Sequence, residues 1–246
     1  MNLGLLGFPS PNVSGNNNTT ITSSGDVLLR ITTFNSSGNW TKQPDVKYVI
    51  VWLLGGGGGG GWARSKVDYG SAGGSGGGGG GCIKKIDATS LLAIEVVTIG
   101  AGGFGSTPPG TGLTGGTTSI GAHCSATGGQ GGGSVDGFTM STGFGPQGGV
   151  GVGGNINFMG CPGTAMTAFY ASGSYGTPGG SGAYPLGGGG AVPMIGSVHR
   201  SNYDGANAIV NTGGGGGGAA SRYGDGAVTR NGGSGGSDKC VVWEFG

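Results

Sequence analysis

Several short strings in this sequence match motifs of enzymes and nucleotide-binding proteins. Residues 100–105 fit the pattern G-x-G-x-x-G and follow a strand-like segment. A dinucleotide site also needs a helix directly after the motif and an acidic residue about 20 positions further on, but no acidic residue lies between Glu95 and Asp136. Residues 73–77 and 232–236 fit the nucleophile pattern G-x-S-x-G without the strand-to-helix turn that this motif requires. In a chain with 69 glycines such matches arise by chance, so we predict no enzymatic activity.

Side chains that bind metals are few and widely spaced. The closest two cysteines are 37 residues apart, and the full set is Cys82, Cys124, Cys161 and Cys240. This spacing excludes the C-x-x-C pattern of zinc and redox sites. The two histidines, His123 and His199, are too few for a histidine-rich site. We therefore expect no metal and no cofactor, and the sequence leaves open whether the cysteines are free or paired.

Acidic residues are the remaining candidates for catalysis. Two carboxylates on either side of a glycosidic bond can hydrolyse it, and the acids considered for this role are Asp136, Asp204, Asp225 and Glu244. We interpret them as surface or turn residues.

Aromatic side chains are concentrated between about residues 134 and 212, in long spacers between glycine runs. Polar residues such as Asn155, Arg200 and Asp204 lie among them. Aromatic and polar side chains on irregular loops beside rigid elements commonly form binding surfaces. The alternative is that half of the aromatic residues only cover the glycine-rich region as an apolar lid. The residues selected as the binding site are Phe169, Tyr170, Tyr175, Tyr184, His199 and Tyr203.

Composition excludes several classes of protein. The formal net charge is +1 and only 9% of the residues are charged, so the chain lacks the basic surface that nucleic-acid binding requires. No apolar stretch approaches the roughly 18 residues of a membrane-spanning helix, and we expect no membrane insertion. The first nine residues lack a basic segment and make a poor secretory signal. With so few charges, the chain must pack its backbone or aggregate.

Strand-like segments bracket the glycine-rich region. Residues 46–54 form a run of β-branched, aromatic and aliphatic residues, and residues 82–86, 91–99 and 240–245 are further strand candidates. Pairing between the strands at the two ends would close the glycine-rich region between them. No segment carries a sustained helical period, so we predict almost no α-helix.

Pure glycine runs have no side chains to bury, so only their backbone can hold them in place. The longest runs are residues 55–61, 76–81 and 213–218. Polyproline II geometry leaves every N–H and C=O free to pair with neighbouring segments. We therefore predict a mainly irregular and β fold: a polyglycine II (polyproline II-like) helix bundle with a small β-strand subdomain. The alternative is that the runs are flexible linkers.

The order of these pieces resembles the glycine-rich domain of bacteriophage tail fibres and adhesins. Residues 34–42, Phe-Asn-Ser-Ser-Gly-Asn-Trp-Thr-Lys, are similar to the family's opening F-x-x-x-G-x-W-x-x-P, although the proline comes only at Pro44. Similar strings follow in order at residues 49–61, 96–103, 115–121 and 240–244. The resemblance covers about residues 34–246.

This resemblance implies a non-enzymatic receptor-binding protein at the tip of a tail fibre or in a baseplate, and therefore a location in the virion. Loops between the glycine runs would contact host cell-surface glycans or outer-membrane proteins. We assign residues 34–246 to the adhesin domain and residues 1–33 to an arm that attaches it to other tail fibre or baseplate proteins, with a homotrimer as the expected assembly. An ice-binding stack of polyproline II helices is the alternative, although its spacers would be short, even and small.

Overall fold

Antiparallel β-sheets dominate this protein. A computed structural model describes residues 25–66, 69–137, 145–170, 202–221 and 227–246. Strands hold 36% of these residues and helix 2%, and the helical turn is a 3-10 helix at Ala88–Ser90. The strands are β1 Leu28–Phe34, β2 Gly38–Thr41, β3 Tyr48–Leu54, β4 Ala63–Arg64, β5 Tyr69–Ala72, β6 Gly81–Asp87, β7 Ile94–Thr98, β8 Thr118–Ile120, β9 Cys124–Ala126, β10 Val135–Asp136, β11 Gly151–Val152, β12 Ile156–Phe158, β13 Thr167–Tyr170, β14 Ala220–Ser221, β15 Thr229–Arg230 and β16 Cys240–Phe245.

Sheet I contains the strands with the strongest sequence signal. Its order is β1-β16-β3-β6-β12, with every pair antiparallel. Val49, Val51 and Leu53 alternate along β3 and are fully buried, as the two-residue period of a strand requires. The last strand of the chain thus pairs directly with β3, as the sequence predicted.

Sheet II packs against one face of sheet I. Its order is β11-β9-β8-β7-β2, and its inner face contributes Trp40, Val97 and Ile120 to a buried core shared with β3 and β16. The opposite face carries the exposed Ile94 and Val96. This two-sheet sandwich is the main hydrophobic core of the described residues.

Buried glycine segments continue from sheet I. Residues 55–61 leave β3, and their backbone N–H groups donate in a period of three to three different neighbours. The N–H groups of residues 55, 58 and 61 bond to residues 80, 77 and 74, those of residues 56 and 59 to residues 116 and 113, and those of residues 57 and 60 to residues 236 and 233. The carbonyl oxygens of residues 56–61 also accept bonds from neighbouring segments, so these buried backbone groups are satisfied without side chains.

Two small sheets lie where this glycine run ends. Sheet III has the order β10-β4-β15 and sheet IV the order β13-β5-β14, and strands of the two sheets contact each other. Ala63, Val135 and Ala219 form a minor core there, with Met166 packed against it. Residues 55–62 separate Leu54, the end of β3, from Ala63, the start of β4, so the distance between these two residues is at most that of nine extended Cα steps, about 32 Å.

The predicted fold class is wrong. The sequence predicted a polyglycine II helix bundle with a small β part, whereas the described residues are mainly β and form four sheets. The prediction treated each glycine run as a separate helix. In the structure the runs continue strands β3 and β6 and are bounded by sheets at both ends, because the flanking apolar segments find their partners in sheets and set the path of the glycine residues between them.

No helix among the described residues has the length and apolar composition needed to cross a membrane. Residues 28–33 of the predicted arm belong to β1 of sheet I, and residues 1–24 lie outside the described residues.

Candidate functional site

The ends of the described chain meet at one end of the molecule. The Val27 N–H donates to the Gly246 carbonyl and the Gly246 N–H to the Val27 carbonyl, both at 3.1 Å. Phe245 pairs with Leu28 on one side and with Tyr48, the first residue of β3, on the other. Since the glycine run leaves the other end of β3, residues 1–24 join the molecule at the end of sheet I remote from the glycine segments.

The internal segments outside the described residues start at the opposite end. Residues 67–68 connect β4 to β5, residues 138–144 follow β10, residues 171–201 follow β13, and residues 222–226 connect β14 to β15. All six of these strands belong to sheets III and IV. We call sheets III and IV, together with the adjoining residues 145–147 and 202–208, the distal end.

Three of the six residues predicted to bind a ligand lie on sheet IV. Phe169 and Tyr170 are in β13, where they pair with Gly70 and Tyr69 of β5. Tyr203 forms an isolated antiparallel bridge with Ala220 of β14. The order across the sheet is therefore β13, β5, β14 and the segment that carries Tyr203. The other predicted residues, Tyr175, Tyr184 and His199, lie outside the described residues.

Tyr203 is presented on a well-anchored segment. Its backbone N–H and carbonyl each bond to Ala220 at 2.9 Å, and its side chain is 37% exposed. The Asp204 carboxylate accepts the Asn231 N–H at 2.8 Å, and the Asn207 side-chain oxygen accepts the Ser234 N–H at 2.7 Å. The polar residues beside Tyr203 thus hold the segment in place, and the aromatic ring is free to contact a ligand.

A bidentate ion pair lies at the same end of the molecule. In sheet III, the Arg64 Nε donates to Asp136 Oδ1 at 2.8 Å and a second guanidinium nitrogen donates to Oδ2. The hydrogen bond from Arg64 lowers the pKa of Asp136 below its ordinary value, and the bond to Asp136 raises the pKa of Arg64. Lys66 adds positive charge 3.9 Å from the same carboxylate. Sequence reasoning missed this pair because its members are 72 residues apart and no local pattern connects them.

An open cleft of about 300 Å³ lies beside β13. Its polar lining consists of neutral groups: the amides of Gln130 and Gln147 and the hydroxyl of Thr164, with Pro146 and Met166 as apolar walls. Gln130 is fixed at both ends, since its N–H donates to the Gln147 carbonyl at 2.9 Å and its side-chain oxygen accepts the Gln147 N–H at 3.2 Å. A cleft of this composition suits a neutral ligand that forms hydrogen bonds.

The carboxylates considered for hydrolysis are engaged in structural contacts where the structure describes them. Asp136 pairs with Arg64 and Asp204 with the Asn231 backbone. Glu244 is buried in sheet I, where Oε2 accepts from Arg30 Nε at 2.6 Å and Oε1 from Trp40 Nε1 at 3.0 Å. Asp225 lies outside the described residues. Within the described part of the chain, no group of three His, Cys, Asp or Glu residues is placed to hold a metal ion.

Comparison with known families identifies the family to which this chain belongs. Residues 32–242 match the model of the family described as a glycine-rich domain. The protein belongs to this glycine-rich domain family, which confirms the glycine-rich domain in the predicted resemblance. The family model does not tie the chain to tail fibres or adhesins. No curated protein matches the sequence.

Proposed function

We propose that this protein is a non-enzymatic receptor-binding protein of a bacteriophage tail fibre or baseplate. The observation that carries the proposal is the separation of the two ends. Residues 1–24 join the chain at the far end of sheet I, while residues 138–144 and 171–201 start at sheets III and IV. A protein that is attached at one end and recognises a surface at the other requires this arrangement.

The glycine segments supply the rigidity that such a protein needs. Their N–H groups bond to neighbours at 2.8–3.0 Å along residues 55–61, and the run is buried throughout. Loops held on a rigid support lose less conformational freedom on binding than loops on a mobile one. This support favours recognition through residues of the distal end.

The binding residues that we propose are Phe169, Tyr170, Tyr175, Tyr184, His199 and Tyr203. Aromatic side chains supply a large rigid contact area, and tyrosine adds a directed hydrogen bond. The host receptor is then a glycan or an outer-membrane protein with neutral polar and apolar groups, since the neutral cleft near β13 and the exposed Tyr203 lie at the same end of the molecule.

Binding of the labelled full-length protein to a panel of bacterial strains, followed by flow cytometry, tests the proposal. On a strain that binds the wild type, we expect Phe169→Ala combined with Tyr170→Ala to reduce binding at least tenfold, and Tyr203→Ala to weaken it further. Loss of one buried aromatic contact costs about 2 kcal/mol or more at a binding hot spot, which is over tenfold in affinity.

Phe104→Ala is the matched control, because Phe104 is an exposed aromatic residue, 72% accessible, on a glycine segment. The Phe104→Ala variant should bind like the wild type, and all of the variants should have the melting temperature of the wild type. Full binding by the triple variant, or equal loss in Phe104→Ala, would place the receptor surface elsewhere. Thermal hysteresis of ice growth in the purified protein would overturn the proposal in favour of ice binding.

Its proposed place is the virion tail, with other fibre or baseplate proteins as partners of residues 1–33 and a homotrimer as the assembly. Purified virions should contain the chain in stoichiometric amount, and an antibody against it should block adsorption.

A further inference from the structure

Three of the four cysteines, far apart in sequence, come together inside the sandwich of sheets I and II. Cys82, Cys124 and Cys240 are buried members of the same core cluster, whereas Cys161 is exposed. Cys82 in β6 and Cys240 in β16 both pair with Leu53 of β3, from opposite sides. They are therefore two strand spacings apart, about 9–10 Å, which is beyond the limit of about 7 Å between the Cα atoms of a disulfide.

Cys124 approaches from the facing sheet. It is the first residue of β9 in sheet II, it belongs to the same buried core cluster as Cys82, and its strand contacts β6, the strand of Cys82. The same turn covers both residues: a Cβ built on Gly154 would lie 2.8 Å from the Cys82 Cβ, and one built on Gly153 would lie 3.7 Å from the Cys124 Cβ. Cys82 and Cys124 therefore lie under the same turn on two sheets that pack against each other, and such proximity is the first requirement for a disulfide.

The surroundings make Cys124 the more reactive thiol. The neighbouring thiol of Cys82 lowers the pKa of Cys124, and the charge of Lys84 adds to this effect, while burial opposes it. Lys84 is held near Cys124 because its Nζ donates to the carbonyl of the preceding residue, His123, at 2.6 Å. Cys124 is also slightly exposed, at 6%, whereas Cys82 is fully buried. Thiolate character and access are the two properties that control thiol oxidation.

We propose that Cys82 and Cys124 form a dithiol pair that a small disulfide oxidant converts into a disulfide joining sheet I to sheet II. The Cys124 thiolate attacks one sulfur of the oxidant, which forms a mixed disulfide and releases one thiol. The Cys82 sulfur, after loss of its proton, attacks the Cys124 sulfur and expels the second thiol. Two protein thiols are thus oxidised, and one oxidant disulfide is reduced to two thiols.

Mass spectrometry of the full-length protein in glutathione redox buffers tests this proposal. The Cys161→Ser background removes the exposed thiol, so that links between molecules do not interfere. After unfolding in N-ethylmaleimide, the reduced protein should take up three labels and the oxidised protein one. Trypsin then separates the three cysteines, since Lys84 and Lys85 lie between Cys82 and Cys124, and Arg200 and Lys239 lie between Cys124 and Cys240. Cys82 is in peptide 67–84, Cys124 in peptide 86–200 and Cys240 in peptide 240–246.

The expected product is a cross-link between peptides 67–84 and 86–200, with Cys240 labelled. Adding Cys240→Ser should leave this cross-link intact, and adding Cys82→Ser should abolish it and leave two labelled thiols. A cross-link between peptides 86–200 and 240–246 would overturn the proposal. Three labels at every ratio of oxidised to reduced glutathione would also overturn it.

Discussion

At the scale of single residues, the most unusual environment is that of Asp238. Its side chain is fully buried, Oδ2 accepts a hydrogen bond from Thr118 Oγ1 at 2.9 Å, and Oδ1 has no partner among the described residues. The Thr118 hydroxyl in turn accepts the Gly100 N–H at 2.9 Å. Burial away from water raises the pKa of Asp238 to about 8, although the Thr118 bond lowers it in part. The folded protein therefore holds this carboxyl protonated at neutral pH.

This raised pKa predicts a pH dependence of stability. The ordinary value is 3.8 and the folded value about 8, so the folded state binds the proton more tightly than the unfolded state. The contribution to stability is fully present below about pH 4, is lost as the pH rises to about 8, and is constant above that. The slope is about 1.4 kcal/mol per pH unit, with about 6 kcal/mol as the upper limit of the total.

Urea unfolding of Asp238→Asn between pH 5 and pH 8 checks this prediction. The amide keeps an acceptor for Thr118 but has no proton to lose, so its stability should change much less over this range than that of the wild type. Asp204→Asn is the matched control and should retain the wild-type slope, because Asp204 is exposed and its oxygen only accepts the Asn231 N–H. Equal slopes in wild type and Asp238→Asn would contradict the assignment.

At the scale of elements, the glycine segments depend on the absence of side chains. Gly57 lies in the middle of the run that follows β3. Its N–H donates to the Gly236 carbonyl at 3.0 Å, and its carbonyl accepts the Gly103 N–H at 2.8 Å. A Cβ at this position would overlap the carbonyl of Gly214. Three neighbouring segments therefore approach this one residue.

We predict that Gly57→Ala lowers the free energy of unfolding by about 3 kcal/mol or more. The methyl group would push one neighbour away and leave buried backbone groups without partners, each at about 1 to 3 kcal/mol. Gly110→Ala is the control, since its Cβ would meet only the Thr107 carbonyl at 3.4 Å. Chemical denaturation should show a change below about 1 kcal/mol for the control. Similar values for the two variants would show that the contacts around Gly57 do not support the fold.

At the scale of the whole molecule, β1 connects the predicted arm to the folded domain. It pairs with β16 from Leu28 to Phe34, and its Arg30 contacts both Glu244 and Asp45. The sequence placed residues 1–33 in an arm, but residues 28–33 form the edge strand of sheet I. The structural contacts of this edge therefore divide the arm into two parts with different expected roles.

Two truncations distinguish these parts. Removal of residues 1–24 leaves every described contact in place, so the melting temperature should be unchanged. Removal of residues 1–34 deprives buried Glu244 of Arg30 and exposes the edge of β16, so the melting temperature should fall by more than 10 °C. Circular dichroism melting curves measure both, and an equal effect of the two truncations would contradict the assigned role of β1.

The main strands and the scarcity of helix were set by local sequence. Residues 46–54 and 240–245 combine β-branched and aromatic residues, and the structure has strands at Tyr48–Leu54 and Cys240–Phe245. The sequence also indicated the glycine-rich domain. It further indicated that backbone hydrogen bonds hold the pure glycine runs, because these runs have no side chains to bury. Of the proposed site, the sequence indicated the aromatic spacers but not the sheet that carries Phe169, Tyr170 and Tyr203.

Only the tertiary structure decided which segments are neighbours. A run such as residues 55–61 is chemically uniform, so nothing within it selects residues 74–80, 113–116 or 233–236 as partners. The partners follow from the pairing of β3 with β6 and β16, whose side chains do specify a register. Other long-range contacts bring Arg64 to Asp136, through the pairing of β4 with β10, and Cys82 near Cys124, through the packing of sheet I on sheet II. The side chains of the strands specify which strands pair and in which register. The glycine runs have no side chains, so their positions follow from the strands on either side.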